Sequence, residues 1–325
     1  MIMRYEHLKC HPNVVLKMTG LRIKEFDALV DELLPRWVEM EHKRLSRPDR
    51  EREMGGGRNQ ELAGRDQILL TVVWLRVYPT HEVLGYLFGV SDSTVSRIIQ
   101  RVLPGLEQAG RNTMRMPDPG RKRRRSLDQL LHDTPELAVV IDSFEQQVQR
   151  PKDPDDHDGF YSGKKKTHTL KSQVAVKEDT GAIVEVSDSV PGPTADINLL
   201  AQSGLMQGLP EGVGGIGDLA YIGIDKLPPL GLGASPRRKP RGRPRPPEDV
   251  AYNTAFSRRR IIVETIIGRL RRYQSLSQTD RQHRHNHTAR VCAVAGLVNR
   301  QLAYRMPACL SWGRGTFTPA PYFEV

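Results

Sequence analysis

The sequence is poor in cysteine and has no long apolar run, and each shortage excludes a class of protein. Its 325 residues include three scattered cysteines, Cys10, Cys292 and Cys309, without Cys-x-x-Cys spacing. This argues against disulfides or a cysteine-built zinc site and suits a reducing cytoplasm. The best apolar run, ILLTVVWLRV, is interrupted by Arg76 and falls well short of the roughly 18 residues of a membrane-spanning helix. The N-terminus also lacks the charged and apolar plan of a signal peptide.

Acidic residues are scarcer than basic ones. The chain has 49 lysines and arginines against 38 aspartates and glutamates, a formal net charge of +11. Such an excess is typical of a protein that binds a polyanion, most often nucleic acid. The length is sufficient for roughly two domains.

Changes in composition divide the chain into four parts. Residues 1–60 contain an amphipathic helix at 19–45. A charged, glycine-rich linker, DREREMGGGRNQEL, follows and extends to residue 62. Residues 61–118 show closely spaced helices. Residues 136–305 contain the strand-like runs ELAVVIDSF, KTHTLKSQVAV, AIVEVSD and VGGIGD, with helices expected at 195–207 and 253–273. This order predicts an α/β domain, followed by an irregular tail at 306–325.

Residues 80–103, THEVLGYLFGVSDSTVSRIIQRVL, have the pattern of a helix-turn-helix. Gly89 permits the tight turn, Ser91 caps the second helix, and Val90 fills the junction. The first helix is expected to bury Val83, Leu84, Leu87 and Phe88, and the second Val95, Ile98, Ile99 and Val102. The side chains left to face a major groove are Ser93, Ser96, Arg97, Gln100 and Arg101. A plain helical hairpin is the alternative.

The segment ASPRRKPRGRPRPPED at 234–249 is basic and rich in arginine and proline. Its PRGRP core, with Arg241 and Arg243, matches an AT-hook, which lies in the minor groove. Because the motif is so short, we favour the interpretation that it is an irregular loop that contacts phosphates.

Three acids stand at positions where they could converge. Asp142 ends the strand LAVVID, Asp218 ends the strand-like GGIGD, and Glu264 lies on the helix that contains IIVETIIGRLRRYQSL. Carboxylates at the ends of adjacent strands meet at one edge of a sheet, and a packed helix can add a third. Such a set could hold two Mg²⁺ ions, for which Mn²⁺ could substitute, and so cut a phosphodiester. Each acid alone has a structural explanation, such as capping a loop or pairing with Arg260 or Arg271.

The blocks VVIDSFEQQVQRP, FYSGKKKTHTLKSQVAV, GDLAYIG and RRRIIVETIIGRLRRYQSL resemble those of DDE transposases of the Harbinger-like and insertion-sequence-five group. The resemblance covers roughly residues 60–305. It implies an RNase H-like fold, a mixed five-stranded sheet flanked by helices, with an all-α helix-turn-helix region ahead of it. It also implies that Asp142, Asp218 and Glu264 are the catalytic, metal-binding acids.

The sequence departs from that pattern at two places. Ser143 stands where glycine usually follows the first acid, and Ala195 stands where histidine often precedes Asp196, which leaves Asp196 as a rival acid. Arg260 and Arg271 share a helix face with Glu264 and are expected to hold the DNA backbone. The strand block adds the candidate phosphate ligands Lys164, Lys165, Lys166, His168 and Lys171. His283, His285 and His287 are read as a solvated basic surface rather than a metal site.

The sequence therefore predicts a transposase that binds and cuts the ends of its element and joins them to target DNA. Paired ends favour a homo-oligomer, most simply a dimer. The expected location is the cytoplasm, on the nucleoid when DNA is bound. An RNase H-fold nuclease without strand transfer, or a transposase-derived DNA-binding regulator, remain as alternatives; the presence of all three acids counts against the regulator.

Overall fold

The computed structural model describes residues 2–46, 62–119, 138–151, 157–227 and 233–305. Outside these ranges lie most of the predicted linker, residues 120–137, and the tail at 306–325 with Cys309. The described part begins with six helices and continues into strands and helices that alternate, as the sequence predicts. The first six helices are α1 Tyr5–Leu8, α2 Pro12–Thr19, α3 Ile23–Leu45, α4 Gly64–Val77, α5 His81–Phe88 and α6 Asp92–Arg111.

The helix predicted at 19–45 begins at Ile23, because α2 occupies the residues before it and ends at Thr19. Gly20 closes α2 with a φ of 78°, a left-handed conformation that favours glycine. The helix is amphipathic as predicted: Phe26, Leu29, Val30 and Leu33 are buried, and Leu34 is partly buried.

Helices α5 and α6 form the predicted helix-turn-helix. Gly89 ends α5 with a φ of 68°, and the Ser91 hydroxyl accepts a hydrogen bond from the Thr94 amide at 3.2 Å, which caps α6. The predicted stripe of α6 is buried, namely Val95, Ile98, Ile99 and Val102. The prediction that Val83 is buried is wrong: it is 49% exposed, because α5 turns Leu84, Gly85 and Phe88 inward.

The second part contains seven strands and five further helices. The strands are β1 Ala138–Gln147, β2 Tyr161–Ser162, β3 Thr167–Lys177, β4 Ile183–Val186, β5 Val190–Pro191, β6 Gly214–Ile216 and β7 Gly233–Ala234. The helices are α7 His157–Phe160, α8 Asp196–Ser203, α9 Leu205–Gly208, α10 Pro247–Leu270 and α11 His287–Arg305. Gly204, with a φ of 71°, divides the single helix predicted at 195–207. Helix α10 starts at Pro247, six residues before the predicted start, since proline is well suited to a first turn.

The strands form one mixed sheet in the order β2-β3-β1-β6-β7, with β4 and β5 also paired to β3. β1 is antiparallel to β3 and parallel to β6, which in turn is parallel to β7. The described sheet therefore has seven strands rather than five, because the long β3 pairs with β2, β4 and β5 at different points along its length. Asp142 was predicted to end its strand, but β1 continues beyond it to Gln147.

Helix α6 joins the two parts, because its C-terminal end crosses α11 at very short range. A Cβ added to Gly110 would collide with the carbonyl oxygen of Cys292, and one added to Gly296 would collide with the Gly110 backbone. Beyond the crossing, Asn299 Nδ2 donates to Thr113 Oγ1 at 3.1 Å. The six N-terminal helices and the sheet thus share one apolar core. Within the described ranges, no helix is long and apolar enough to cross a membrane.

Candidate active site

The strand register places Asp142 and Asp218 beside each other. β1 and β6 run parallel, and the last pair between them is Val140 with Ile216. Asp142 and Asp218 each lie two residues beyond that pair, so both chains leave it in the same direction. The carboxyl end of this parallel pair is therefore where two of the three predicted acids meet.

Each aspartate has one oxygen fixed by the backbone. Asp142 Oδ1 accepts from the Ser143 amide at 2.8 Å, and Asp218 Oδ1 accepts from the Ala220 amide at 2.8 Å, where it caps a short 3₁₀ turn. The other oxygen of each carboxylate faces Arg260. The backbone thus orients both aspartates toward a common point.

The third acid comes from α10, which packs against β1 and β3. Its buried face consists of Phe256, Val263, Ile266, Ile267 and Leu270. Glu264 lies beside this face with a side chain that is 61% exposed, one helical turn after Arg260.

A single guanidinium lies among the three carboxylates. Arg260 Nη2 is 3.5 Å from Asp142 Oδ2, 3.8 Å from Asp218 Oδ2 and 3.7 Å from Glu264 Oε1. The structure therefore brings all three predicted acids together around one positive charge. The sequence predicts that Arg260 contacts the DNA backbone. It suggests an Arg260–Glu264 ion pair only as the alternative in which Glu264 has a structural role.

Burial makes the Asp142 carboxyl a weaker acid than an ordinary aspartate. It raises the pKa of the Asp142 carboxyl to about 6, with the nearby Asp218 and Asp196 adding to the rise. The Ser143 amide and Arg260 oppose this by stabilising the charged form. A carboxylate that is costly to keep charged has a strong electrostatic demand for a cation.

The rival acid, Asp196, is engaged elsewhere. Its Oδ1 lies 3.0 Å from Lys171 Nζ and accepts from the Ser143 hydroxyl at 2.6 Å. Lys171 also donates to the Thr194 carbonyl at 2.6 Å and is only 7% exposed. Lys171, which was predicted to reach phosphates, is instead buried with its charge neutralised by Asp196. No sequence pattern indicates the grouping of Asp196, Lys171 and Ser143, because it depends on how β3 aligns with β1.

The remaining predicted phosphate ligands lie on the surface near the sheet. Lys164, Lys165 and Lys166 are exposed, but in the turn between β2 and β3 rather than on a strand face. His168 is half-buried on β3 with its ring at the edge of the Tyr161 ring. Arg271 follows the end of α10 and donates to the Glu145 carbonyl at 3.3 Å.

The basic loop, residues 235–246, precedes α10 and is anchored to it through Arg237. Arg237 pairs with Asp249 at 2.9 Å and lies over the Tyr252 ring. Arg241 and Arg243 are exposed in the irregular stretch that follows. On the helix-turn-helix, Arg97, Gln100 and Ser93 are exposed, whereas Ser96 and Arg101 are partly covered.

The histidine prediction is wrong for one of its three members. His283 and His285 are exposed and stack on each other, as a solvated surface allows. His287 is fully buried at the start of α11. It lies between Gln146 Oε1 at 2.9 Å and the Ser189 hydroxyl at 2.6 Å, so packing rather than solvent surrounds it. Burial lowers the His287 pKa to about 3.

The donor set suits a hard divalent cation. Three carboxylates offer oxygen ligands of the kind that Mg²⁺ and Mn²⁺ prefer. In the described residues, however, no group of three acids, histidines or cysteines is arranged to hold a metal as it stands. The chemistry of the site fits the ion, while Arg260 occupies the space between the ligands.

Comparisons with known proteins find similar families for two parts of the chain. Residues 141–299 match a family model described as DDE superfamily endonuclease, and residues 60–112 match the helix-turn-helix of DDE superfamily endonuclease. The fold is thus an RNase H-like α/β domain with a helix-turn-helix region before it, and each part is similar to the corresponding part of that family. A probable transposase for insertion sequence element IS702 from Microchaete diplosiphon is 29% identical over 289 residues, which cover 89% of this chain and 94% of the relative. No solved structure matches the chain.

Proposed function

We propose that this protein is the transposase of a mobile DNA element, within the Harbinger-like and insertion-sequence-five group. It binds the element's ends, cuts them and transfers the freed strands to target DNA. One observation supports this above the others: carboxylates from β1, from the turn after β6 and from α10 surround one point. Three acids from distant parts of the chain have little reason to gather there unless a cation and a phosphate join them.

In this proposal Asp142, Asp218 and Glu264 are the catalytic acids and hold two Mg²⁺ ions, or Mn²⁺ in their place. Such ions would activate the attacking hydroxyl and stabilise the leaving oxygen of the phosphodiester. The backbone amides of Ser143 and Ala220 fix one oxygen of each aspartate, and the other oxygen, which faces Arg260, is the one that would bind a metal. Asp196 supports the site from behind through Ser143 and Lys171.

The DNA contacts divide into two kinds. Residues 61–118 act as a domain that reads the element's ends through α6, with Arg97 and Gln100 toward the groove. Residues 136–305 form the catalytic domain, where the turn at 164–166, the basic loop and Arg271 contact phosphates without reading sequence. Two ends must be cut together, so the active form is a homo-oligomer, most simply a dimer, in the cytoplasm at the nucleoid.

The test uses four variants that remove one charge each with little change in shape. Asp142→Asn, Asp218→Asn and Glu264→Gln should each abolish cutting of end-containing DNA in Mg²⁺ while still binding that DNA. Asp196→Asn is the matched control and should keep measurable cutting, because its carboxylate serves Lys171. Robust cutting by any of the first three would disprove the proposed acids, and loss in Asp196→Asn alone would transfer the role to that residue.

A second assay separates transposase from nuclease. Wild-type protein is given a pre-cut end with a free 3′-hydroxyl, a target plasmid and Mg²⁺. Covalent joining of the end to the plasmid supports strand transfer. Cutting of intact ends without any joining would identify a nuclease on the same fold, and DNA binding without cutting would identify a regulator.

A further inference from the structure

Arg260 shares its charge among three acids instead of pairing closely with one. Its three Nη2–oxygen distances, 3.5, 3.7 and 3.8 Å, are all longer than those of a strong charge-assisted hydrogen bond. The Nε of the same side chain is buried and has no hydrogen-bond partner among the described residues. The guanidinium is therefore held by the surrounding negative charge rather than by a fitted set of hydrogen bonds.

The charges at this point are unequal. Three carboxylates face one guanidinium, so the group keeps two negative charges when the acids are ionised. The Asp142 side chain is only 19% exposed, so the uncompensated negative charge is more costly there than in water. A single arginine therefore compensates the site only in part.

A guanidinium and a metal ion cannot occupy the middle of this group together. Mg²⁺ binds oxygen at about 2.0–2.1 Å, so two oxygens on one ion lie at most about 4 Å apart. Arg260 instead holds all three carboxylates at longer range around its own nitrogen. The ligands can close on a metal only after the guanidinium has moved out.

We propose that Arg260 is a positioning residue that fills the cation site in the metal-free protein. A divalent cation displaces its guanidinium and releases it toward the DNA backbone. This rests on the proposed function, since it requires the three acids to bind metal. Arg260 thereby keeps the acids folded inward without metal, and it couples metal entry to the grip on DNA. Because such coupling is reciprocal, bound DNA should also favour metal.

Arg259 provides a matched control one residue away. Its guanidinium pairs with Glu178 at 3.2 Å instead of with the three acids. Arg259→Gln and Arg260→Gln remove the same charge from the same helix, so non-specific effects of charge are equal in both. Arg260→Lys keeps the charge without the planar guanidinium and serves if Arg260→Gln folds poorly.

The first measurement is Mn²⁺ binding to the full chain by calorimetry, without DNA. Arg260→Gln should bind Mn²⁺ about tenfold more tightly than wild type, a typical size for coupling between two sites. Arg259→Gln should match wild type, and Arg260→Lys should lie near wild type. The second measurement is DNA affinity with and without Ca²⁺: the ion should raise it in wild type, and clearly less in Arg260→Gln.

The outcomes separate this inference from the function it rests on. If Arg260→Gln binds Mn²⁺ no more tightly than Arg259→Gln, while Asp142→Asn abolishes binding, the acids are a metal site and the role of Arg260 is refuted. If wild type and all variants fail to bind Mn²⁺ with or without DNA, the proposed function itself fails, and this inference with it.

Discussion

Buried His287 should make the protein less stable in mild acid. Both amide hydrogens of Gln146 are used, by the carbonyls of Ser275 and Gln278, so its oxygen must accept from His287 Nε2. His287 Nδ1 then accepts the hydrogen of the Ser189 hydroxyl. A second proton on the ring would have to replace that hydrogen bond inside the core, which agrees with a His287 pKa lowered from 6.5 to about 3.

The sign of the effect follows from where the proton binds. The unfolded chain takes up a proton at His287 near pH 6.5, whereas the folded protein does so only near pH 3, so stability is complete above 6.5 and falls as pH is lowered. Between pH 7.5 and 5.0 the loss is about 2 kcal/mol in the free energy of unfolding. This figure depends little on the folded pKa, provided that it stays well below 5.

The assay is urea unfolding of wild type and His287→Gln at both pH values. Glutamine can still donate to Gln146 but does not titrate, so the variant loses a constant amount of stability and should lack the pH-dependent part. The comparison also cancels Glu178 and Glu185, whose pKa values burial raises to about 7 and which act in the opposite direction. An equal change with pH in both proteins would refute the buried neutral histidine.

Three further predictions concern DNA binding and packing. Arg97→Ala and Arg101→Ala should each weaken binding to the element's ends and reduce its salt dependence in filter-binding titrations; unchanged affinity in both would remove α6 from the interface. Serine in place of the six basic residues at 237–245 should weaken binding to all DNA sequences alike, and a loss limited to A·T-rich sites would favour the AT-hook. Gly110→Ala should cost about 1–3 kcal/mol in unfolding free energy, because its Cβ meets backbone, whereas Gly105→Ala on the same helix meets only a Leu33 methyl at 3.6 Å. Equal stability of these two glycine variants would contradict the close crossing.

Local patterns were enough to predict most of the elements. Gly89 and Ser91 identified the turn and cap of the helix-turn-helix, because turn and cap chemistry acts within a few residues. The β-branched runs identified β1, β3 and β4, and their order indicated an α/β domain, whereas the mixed sheet was implied by the family resemblance. The extent of β1 beyond Asp142 was missed, since a strand's length depends on the partner beside it.

Long-range pairing set the limit for the candidate site. The sequence selected Asp142, Asp218 and Glu264 by position and resemblance, and the structure brings them to one point. It could not show that Lys171 turns inward to Asp196, or that His287 lies in the core between Gln146 and Ser189. Charge and hydropathy favour the surface for both residues, and only tertiary hydrogen bonds overcome that preference.

Under the proposed function, the crossing of α6 and α11 also fixes a distance along DNA. The helix that presents Arg97 near its beginning packs at Gly110 directly against α11, the last helix of the proposed catalytic domain. From Asp92 to Gly110 it extends about 27 Å, comparable to the rise of about eight base pairs. Under the proposed function, this rigid connection sets the number of base pairs between the bases that α6 contacts and the bond that is cut. We therefore expect the interval to be constant among the element's ends, even where the intervening bases differ.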